Sequence, residues 1–253
     1  MIFFFSATGN SEYVARRIAH ATDDHVSAID ALLAHDELAY EPDADEPLGI
    51  VSPTYSWGLP LVVADFLERL ELTAQPRYLF FVATYGTTPG QTGRFASEIL
   101  GRRGIAIDAF FSVKMPDTWT PLFDLSDEGK VAQINDDAEP QIDLIIDQVR
   151  AHAAGDFMRD KVPYLVAKPF YHVEYPLMRK TSHFRVDGNC IGCGKCAKGC
   201  PVGAIEMRSE RPVWTKDRCA ACLKCLHRCP KFAIHYGKNT ARHGQYTHPR
   251  FRA

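Results

Sequence analysis

The sequence has no long hydrophobic run, because no apolar stretch in its 253 residues reaches the roughly 18 residues of a membrane-spanning helix. The apolar start, Met1–Phe5, is shorter than the core of a secretion signal and has no basic residues before it. We therefore expect a buried strand there. Low-complexity tracts are also missing, and a hydrophobic content of 46% is enough for a folded core.

Cysteine is absent from residues 1–189, and all eight cysteines lie between positions 190 and 229. They form two runs of identical spacing, C-x2-C-x2-C-x3-C-P, offset by 29 residues. The runs are Cys190, Cys193, Cys196 and Cys200, and then Cys219, Cys222, Cys225 and Cys229. Since every cysteine belongs to a run, none remains for a disulfide, and we expect a reducing, cytoplasmic location.

This spacing resembles that of bacterial two-[4Fe–4S] ferredoxins over about residues 182–237. In that family the fourth cysteine of each run binds the cluster of the other run. The resemblance therefore implies one cluster on Cys190, Cys193, Cys196 and Cys229, and a second on Cys219, Cys222, Cys225 and Cys200. Paired C-x2-C motifs also bind zinc, but a zinc site needs only four ligands and leaves the repeated C-P without a role.

Short strands are expected around each cysteine run because the flanking apolar residues repeat as well. Phe184–Val186 precedes the first run as Val213–Thr215 precedes the second. Ala204–Ile205 follows the first run as Ala233–Ile234 follows the second. Each half is then a strand, a ligand loop with one helical turn, and a returning strand, which predicts a small α+β domain.

Basic residues are scarce in residues 1–154, which contain 10 Lys and Arg against 24 Asp and Glu, a net charge of −14. Residues 155–253 contain 19 and 7, a net charge of +12. A basic half can indicate nucleic-acid binding, but negatively charged clusters would offset part of this charge. The remaining difference favours docking of the two halves on each other, and nucleic-acid binding is the weaker interpretation.

Five apolar segments alternate with helical patterns in the first half, which predicts an α/β fold with a doubly wound parallel sheet. The predicted strands are Met1–Phe5, His25–Ile29, Leu48–Ser52, Tyr78–Ala83 and Ile105–Val113. The last helix is expected from about Pro140 to Gly155, because apolar residues recur there at helical spacing.

A loop of small and hydroxyl residues, Ser6–Ser11, lies between the first strand and the first helix. This arrangement is typical of a phosphate site at a helix N-terminus, although a simple N-capped helix has the same pattern. The loop has no lysine, unlike a nucleotide-hydrolysing P-loop. No G-x-G-x-x-G occurs at a strand-to-helix junction, which argues against the pyrophosphate of FAD or NAD and leaves a single terminal phosphate as the better candidate.

The same loop resembles the flavodoxin phosphate loop, T/S-x-T-G-x-T/S. The resemblance implies the strand order 2-1-3-4-5, with FMN held by the loops after strands 1, 3 and 4. The candidate FMN contacts are Ser6, Thr8, Gly9, Asn10, Ser11, Pro53, Thr54, Tyr55, Ser56, Trp57, Gly58, Thr84, Tyr85 and Gly86. Tyr55, Trp57 and Tyr85 are candidates for stacking on the isoalloxazine ring, and packing against a core or domain interface is the alternative.

Three further segments have less specific patterns. Met115–Pro121, with Trp119, either caps a flavin or substrate or packs against the domain. Residues 156–183 form a connector rich in proline and aromatic residues, which we expect to lie packed against the first domain. The C-terminal tail has no periodicity and is expected to be an extended arm or disordered.

Together the two resemblances indicate a flavodoxin–ferredoxin fusion like those of anaerobes. The expected parts are a flavodoxin-like FMN domain (1–155), a connector (156–183), a two-[4Fe–4S] domain (184–237) and a tail (238–253). The expected function is electron transfer between the two clusters and FMN for unidentified redox partner proteins. The alternatives are an FMN-dependent reductase of a small-molecule acceptor and a regulatory or nucleic-acid-binding module. No pair of titratable residues stands out, so no catalytic side chain is named.

Overall fold

The computed structural model describes residues 1–43 and 46–250. Its strands are β1 (Ile2–Phe4), β2 (Val26–Ala28), β3 (Ala39–Tyr40), β4 (Pro47–Pro53), β5 (Glu71–Leu72), β6 (Tyr78–Tyr85), β7 (Ala109–Lys114), β8 (Gly155–Asp156), β9 (Phe184–Val186), β10 (Ile205–Arg208), β11 (Arg211–Trp214) and β12 (Ile234–Tyr236). Its helices are α1 (Asn10–Thr22), α2 (Ile29–His35), α3 (Leu61–Arg69), α4 (Thr92–Gly101), α5 (Glu128–Arg150), α6 (Tyr164–Met178), α7 (Lys195–Lys198), α8 (Lys224–His227) and α9 (Thr240–His243). A 3-10 helix, Thr181–His183, precedes β9. None of the described helices is long and apolar enough to cross a membrane.

A six-stranded parallel sheet forms the centre of the first half, in the order β2-β1-β4-β6-β7-β8. The predicted strands 1 to 5 correspond to β1, β2, β4, β6 and β7. They lie in the predicted order 2-1-3-4-5, so the predicted doubly wound fold is confirmed. The sheet also has a sixth strand that the sequence did not indicate, β8, which pairs with the start of β7. This strand has two exposed residues, Gly155 and Asp156, and therefore carries no apolar pattern.

Helices cover both faces of this sheet, which explains why its central strands are apolar throughout. From β1, Phe3 packs into the layer formed with α3 and α4. Its neighbours Ile2 and Phe4 pack into the layer formed with α1 and α5. The sheet therefore has an apolar core on each face, which fixes its strands. The loops at the carboxyl ends of the strands lie together at one edge.

Helix α5 corrects a predicted boundary. The helix was expected from about Pro140, but it begins at Glu128 and contains Pro140. Asp127 caps its start by accepting a hydrogen bond from the N–H of Lys130 at 3.0 Å. Proline removes one helical hydrogen bond, but Ala138 and Ile142 on either side of it are buried against the sheet and hold the helix in place.

The second half contains the predicted repeat and the predicted small α+β fold. Strand β9 pairs with β12, and β10 pairs with β11, both antiparallel. The one-turn helices α7 and α8 begin at Lys195 and Lys224, so they occupy equivalent places in the two cysteine runs. Leu223, Leu226 and Ile234 form a small core in this half, with Cys196 and Cys225 packed against it.

The connector between the two halves is mostly helix α6, although Pro169 and Pro176 lie inside it. Ala167 and Tyr175 are buried on one face, whereas Leu165 and Val173 on the other are exposed. The tail is packed as well: α9 is followed by an extended segment in which Tyr246 and His248 are buried. The expectation of disorder is therefore wrong for residues 238–250, and residues 251–253 lie outside the described part.

Candidate functional site

A cavity of about 470 Å³ lies at the carboxyl edge of the sheet, within the size range of small-ligand sites. It brings together twelve of the predicted cofactor contacts: Ser6, Thr8, Asn10, Ser11, Pro53, Thr54, Tyr55, Ser56, Trp57, Thr84, Tyr85 and Gly86. Gly9 and Gly58 are not part of this lining. Gly58 lies against α6, where a Cβ would meet Cδ2 of Tyr171 at 2.3 Å.

The loop after β1 turns into α1 at Gly9, whose φ of 100° is a left-handed conformation that glycine adopts without strain. Ser6 Oγ accepts the N–H of Gly9 at 3.0 Å and holds this turn. The N–H groups of Asn10, Ser11 and Glu12 begin the helix and therefore have no partner within it. The positive end of the helix dipole adds to these donors, which is the chemistry of an anion site.

A cation from the second cysteine run lies against this loop. The guanidinium of Arg228 donates to the carbonyl of Ala7 at 2.8 Å and lies 3.4 Å from that of Ser6. The loop itself has no basic residue, so its sequence did not predict a cation. The fold supplies one from a position 221 residues later in the chain, and its charge favours an anion at the loop.

Trp57 lies on a tight turn between Tyr55 and Gly58. Reciprocal backbone hydrogen bonds of 2.9 Å join Tyr55 to Gly58. Ser56 and Trp57 between them both have left-handed φ values, 50° and 63°, a costly conformation for residues other than glycine. The ring of Trp57 lines the cavity and also stacks on Phe170 of α6, with the centroids 4.0 Å apart. Packing at an interface therefore describes Trp57, and stacking on the isoalloxazine ring stays a prediction that its place in the cavity wall allows.

A buried hydroxyl in this turn has no hydrogen-bond partner among the described residues. Ser56 Oγ is fully shielded from solvent at the wall of the cavity. An unsatisfied buried polar group costs about 1–3 kcal/mol. Because the oxygen is shielded, a ligand in the cavity would not reach it in this arrangement of the turn. The part of the cavity with a clear chemical preference is the N-terminus of α1 beside Arg228, which fits an anion.

The loop after β7 closes another wall of the cavity. Asn10 Nδ2 donates to the carbonyl of Pro116 at 3.2 Å. This bond ties the loop after β7 to the loop Ser6–Ser11, which we call the anion loop. Trp119 lines the cavity while its ring lies 5.3 Å from that of Tyr236 in β12. The sequence left two roles open for this loop. Trp119 packs against Tyr236, and its place in the cavity wall leaves the capping of a flavin or substrate as a prediction.

The cysteines fall into two spatial groups. Cys190, Cys193 and Cys196 surround a small cleft together with Cys229 of the other run. Cys200 instead acts on the second run. Burial, reinforced by Cys219 and Cys200 and opposed by a hydrogen bond from Lys224, raises the pKa of Cys222 to about 12. Cys229 therefore lies with the run from which it is distant in sequence, and Cys200 lies close enough to the second run to raise the pKa of both Cys219 and Cys222.

No three His, Cys, Asp or Glu side chains within residues 1–43 and 46–250 are placed to hold a single metal ion. The thiolates of a [4Fe–4S] cluster each bind a different iron, so they need not converge on one point. Equivalent backbone donors accompany the two runs: Ala204 N–H lies 3.2 Å from Cys200 Sγ, and Ala233 N–H lies 3.3 Å from Cys229 Sγ. Such N–H···S bonds stabilise thiolate charge and fit cluster ligation.

The second cysteine run lies directly beside the cavity, because Ala221, Cys222 and Leu223 form part of its wall. Tyr175 of α6 joins the two halves at this place. Its hydroxyl accepts the N–H of Leu61 at 3.1 Å and donates to the carbonyl of Ala220 at 3.0 Å. Sequence reasoning indicated only that the connector aromatics needed a surface, and it did not identify these partners.

An ion pair and a second tyrosine add to this interface. Lys224 of the second run lies 2.6 Å from Asp30 of α2, and both side chains are largely shielded from solvent. Tyr171 donates its hydroxyl to the carbonyl of Leu59 at 2.6 Å. The two halves are therefore held together by polar contacts within an aromatic interface.

The C-terminal tail reaches back to the anion loop, which the sequence did not predict. The hydroxyl of Tyr246 donates to Asn10 Oδ1 at 2.8 Å. The N–H of His248 donates to the carbonyl of Thr8 at 2.8 Å, and its ring stacks on Tyr13 at 4.1 Å. The tail thus fixes the loop through Thr8 and Asn10. Its contacts depend on single residues in a stretch without periodicity, so no sequence pattern marked them.

Family models match both halves of the chain: a flavodoxin domain over residues 1–143 and a 4Fe-4S dicluster domain over residues 189–233. No curated protein sequence matches it. Among solved structures, a flavodoxin of Streptococcus pneumoniae TIGR4 has 21% identity over 56% of this chain and 97% of its own, with a TM-score of 0.36.

Two other solved structures have similar scores. Rubredoxin oxygen:oxidoreductase from the anaerobe Desulfovibrio gigas has 18% identity over 61% of this chain, with a TM-score of 0.36. The match spans only 36% of that protein's length. An azoreductase from Bacillus anthracis has 10% identity over 58% of this chain and 95% of its own, with a TM-score of 0.32. Likeness at this level carries no functional argument. Because the flavodoxin model covers more than half of the residues, the chain belongs to the flavodoxin family, joined here to a 4Fe-4S dicluster domain.

Proposed function

We propose that this protein passes electrons between two [4Fe–4S] clusters and FMN, and so connects one-electron with two-electron redox partners. The two domain families support an electron-transfer protein with flavin and iron–sulfur cofactors. The observation that carries the finer proposal is the position of Cys222, which lines the same cavity as the flavodoxin loops. A cluster ligand and the candidate flavin site thus share one wall.

In this proposal the anion loop holds the FMN phosphate and the loops after β4 and β6 hold the ring. The residues assigned to FMN are Ser6, Thr8, Gly9, Asn10, Ser11, Pro53, Thr54, Tyr55, Ser56, Trp57, Gly58, Thr84, Tyr85 and Gly86. Bound FMN supplies reversible chemistry of one or two electrons. Burial raises the pKa of both Tyr55 and Tyr85, so these phenols stay neutral beside the ring.

The proposed clusters are bound by Cys190, Cys193, Cys196 and Cys229, and by Cys219, Cys222, Cys225 and Cys200. Each cluster supplies one-electron transfer. Cys193 is exposed, whereas Cys219 is buried and Cys222 lines the cavity. We therefore assign the first cluster to exchange with redox partner proteins and the second to exchange with the cavity.

The same proposal divides the chain at the predicted boundaries. Residues 1–155 form the flavin part and residues 184–237 the cluster part. Residues 156–183 connect the two through α6, and residues 238–253 form the tail that supports the anion loop. The first boundary falls within β8, whose Asp156 pairs with Phe110 of β7. Helix α6 and the tail each contact both the flavin part and the cluster part, so the four parts act as one electron-transfer unit.

A second candidate is an FMN-dependent reductase fed by its own clusters. It is favoured by the apolar part of the cavity wall, to which Leu122, Phe123 and Met178 contribute. Leu122 is 68% exposed and would contact an acceptor that enters from solvent. Turnover of a planar apolar acceptor, such as a simple quinone, at a rate above that of free FMN would favour this candidate over a pure carrier.

Anaerobic purification tests the proposal. We expect about eight irons and eight sulfides per chain, as two [4Fe–4S] clusters require, together with one FMN. Reduction of the clusters by a one-electron donor should then bleach the flavin absorbance. A protein that binds the clusters but no added FMN, or whose flavin stays oxidised beside reduced clusters, would contradict the proposal.

Removing the tail after Gln245 should weaken FMN binding and leave riboflavin binding nearly unchanged. The truncation removes the hydrogen bonds from Tyr246 to Asn10 and from His248 to Thr8, which fix the anion loop. Two hydrogen bonds of about 1 kcal/mol each correspond to a roughly tenfold or larger loss of FMN affinity. Fluorescence titration with each flavin measures this loss.

The matched control is Arg242→Ala, which changes an exposed residue of α9 that bonds to Asn239. It should bind both flavins like the natural protein. An equal loss of riboflavin and FMN in the truncated protein would show that the tail supports the fold in general and not the phosphate loop.

A further inference from the structure

A carboxyl group lies in the wall of the cavity, at Asp117 in the loop after β7. Its Oδ1 accepts the N–H of Trp119 at 3.1 Å, which fixes the side chain. Gly86, in the loop after β6, makes room for it, because a Cβ at Gly86 would lie 2.3 Å from Asp117 Oδ2. The carboxyl is therefore held against one of the loops that we assign to the flavin ring.

The surroundings of Asp117 suit proton exchange near neutral pH. Burial raises the pKa of Asp117 to about 6, and the hydrogen bond from Trp119 opposes this shift only in part. An ordinary aspartate has a pKa of about 4 and stays ionised at neutral pH. A group whose pKa lies near the working pH both gives up and regains its proton readily.

Other titratable groups line the same cavity: Tyr55 after β4, Tyr85 at the end of β6, Glu174 on α6 and Cys222 of the second cysteine run. Burial raises the pKa of both tyrosines, so they keep their protons. Cys222 is a proposed cluster ligand and has no proton to give. The carboxyls of Asp117 and Glu174 remain as the two acids to be distinguished.

We propose that Asp117 is the proton donor and acceptor of the cavity. Full reduction of an isoalloxazine ring requires protons as well as two electrons, and the cysteine-bound clusters supply electrons only. With FMN and the clusters bound, the clusters would supply two electrons, the O–H bond of the Asp117 carboxyl would break, and its proton would pass to a ring nitrogen. The carboxylate then regains a proton from water, and oxidation reverses the exchange. This assignment rests on the proposed function and adds the source of the proton.

The test is the pH dependence of the midpoint potential of bound FMN, measured by spectroelectrochemistry between about pH 5 and pH 8, on either side of the Asp117 pKa. The negative charge of a reduced ring would raise the pKa of Asp117 further. The natural protein should therefore take up an additional proton on reduction above about pH 6, and its potential should change slope there. Asp117→Asn keeps an oxygen for the N–H of Trp119 and should lack that change. Flavin reduction after rapid cluster reduction should slow by about 100-fold in this variant, as for the loss of a general acid.

Glu174→Gln, which removes the other carboxyl of the cavity, is the matched control and should keep the change of slope. An Asp117→Asn protein with the natural slope and rate would overturn the proposal, as would loss of the slope change in Glu174→Gln alone. Infrared spectra of the flavin-free protein give an independent measurement. A carboxylic acid band absent from Asp117→Asn should disappear as the pH rises through about 6. A protein that binds no FMN would contradict the proposed function. A protein that binds and reduces FMN without a contribution from Asp117 would contradict only the role proposed for Asp117.

Discussion

Replacing Cys200 by alanine is expected to remove the cluster on Cys219, Cys222 and Cys225 and to leave the cluster of its own run in place. Cys200 lies with the second run, where it raises the pKa of Cys222. An iron that loses its thiolate is open to water, and the cluster becomes labile. The iron content should fall from about eight to about four per chain, and spectra of the reduced protein should keep one cluster signal.

The repeat supplies the matched control. Cys229 occupies the equivalent place in the second run and lines the cleft of Cys190, Cys193 and Cys196. Cys229→Ala should therefore remove the first cluster. The two variants should also differ at the flavin, because Cys222 lines the cavity and Cys193 does not. Flavin reduction by the remaining cluster should be slow in Cys200→Ala and fast in Cys229→Ala. If Cys200→Ala and Cys193→Ala impair the same cluster, the crossed assignment is wrong.

The parts of the site that sequence reasoning predicted are those whose chemistry requires a fixed local spacing. Three of the four thiolates that share a cluster come from one tight loop, so Cys190, Cys193 and Cys196 were evident from their spacing alone. A phosphate loop likewise depends on consecutive residues between a strand and a helix, which marked Ser6–Ser11. Local constraints of this kind leave a pattern in the sequence.

The residues that sequence reasoning missed come from distant parts of the chain. Arg228 reaches the anion loop from the second cysteine run, and Tyr246 reaches it from the tail. Asp117 lies in a segment that the sequence did single out, Met115–Pro121, but its contact with Gly86 of another loop was not evident. No spacing within a single segment records such contacts. The early start of α5 was missed for a different reason, since Pro140 resembles a helix start although it lies in the helix interior.

The acidic first half and the basic second half can dock on each other without depending on their opposite net charges. Surface charges are screened beyond about 8–10 Å at physiological salt. Here the contacts are close and largely buried: Phe170 stacks on Trp57, and Tyr175 is 3% exposed with hydrogen bonds to both halves. The Lys224–Asp30 pair is also shielded from water and is therefore weakly screened.

Electron transfer from the clusters to the flavin should consequently be intramolecular, with a rate independent of both protein concentration and salt. Rapid reduction of the clusters, followed by the rate of flavin reduction, measures this in dilution and salt series.

Tyr175→Ala should loosen the docking, because truncating a buried aromatic residue costs about 3–5 kcal/mol. In that variant the docked state should be less populated. We therefore expect flavin reduction to be slower, and its rate to rise with protein concentration as electrons pass between molecules. Val173→Ala is the control on the same helix, since Val173 is 65% exposed and contributes little to the interface. A rate that rises with concentration in the natural protein would mean that the halves exchange electrons only between molecules. The proposal of a single electron-transfer unit would then fail, even if both cofactors are bound.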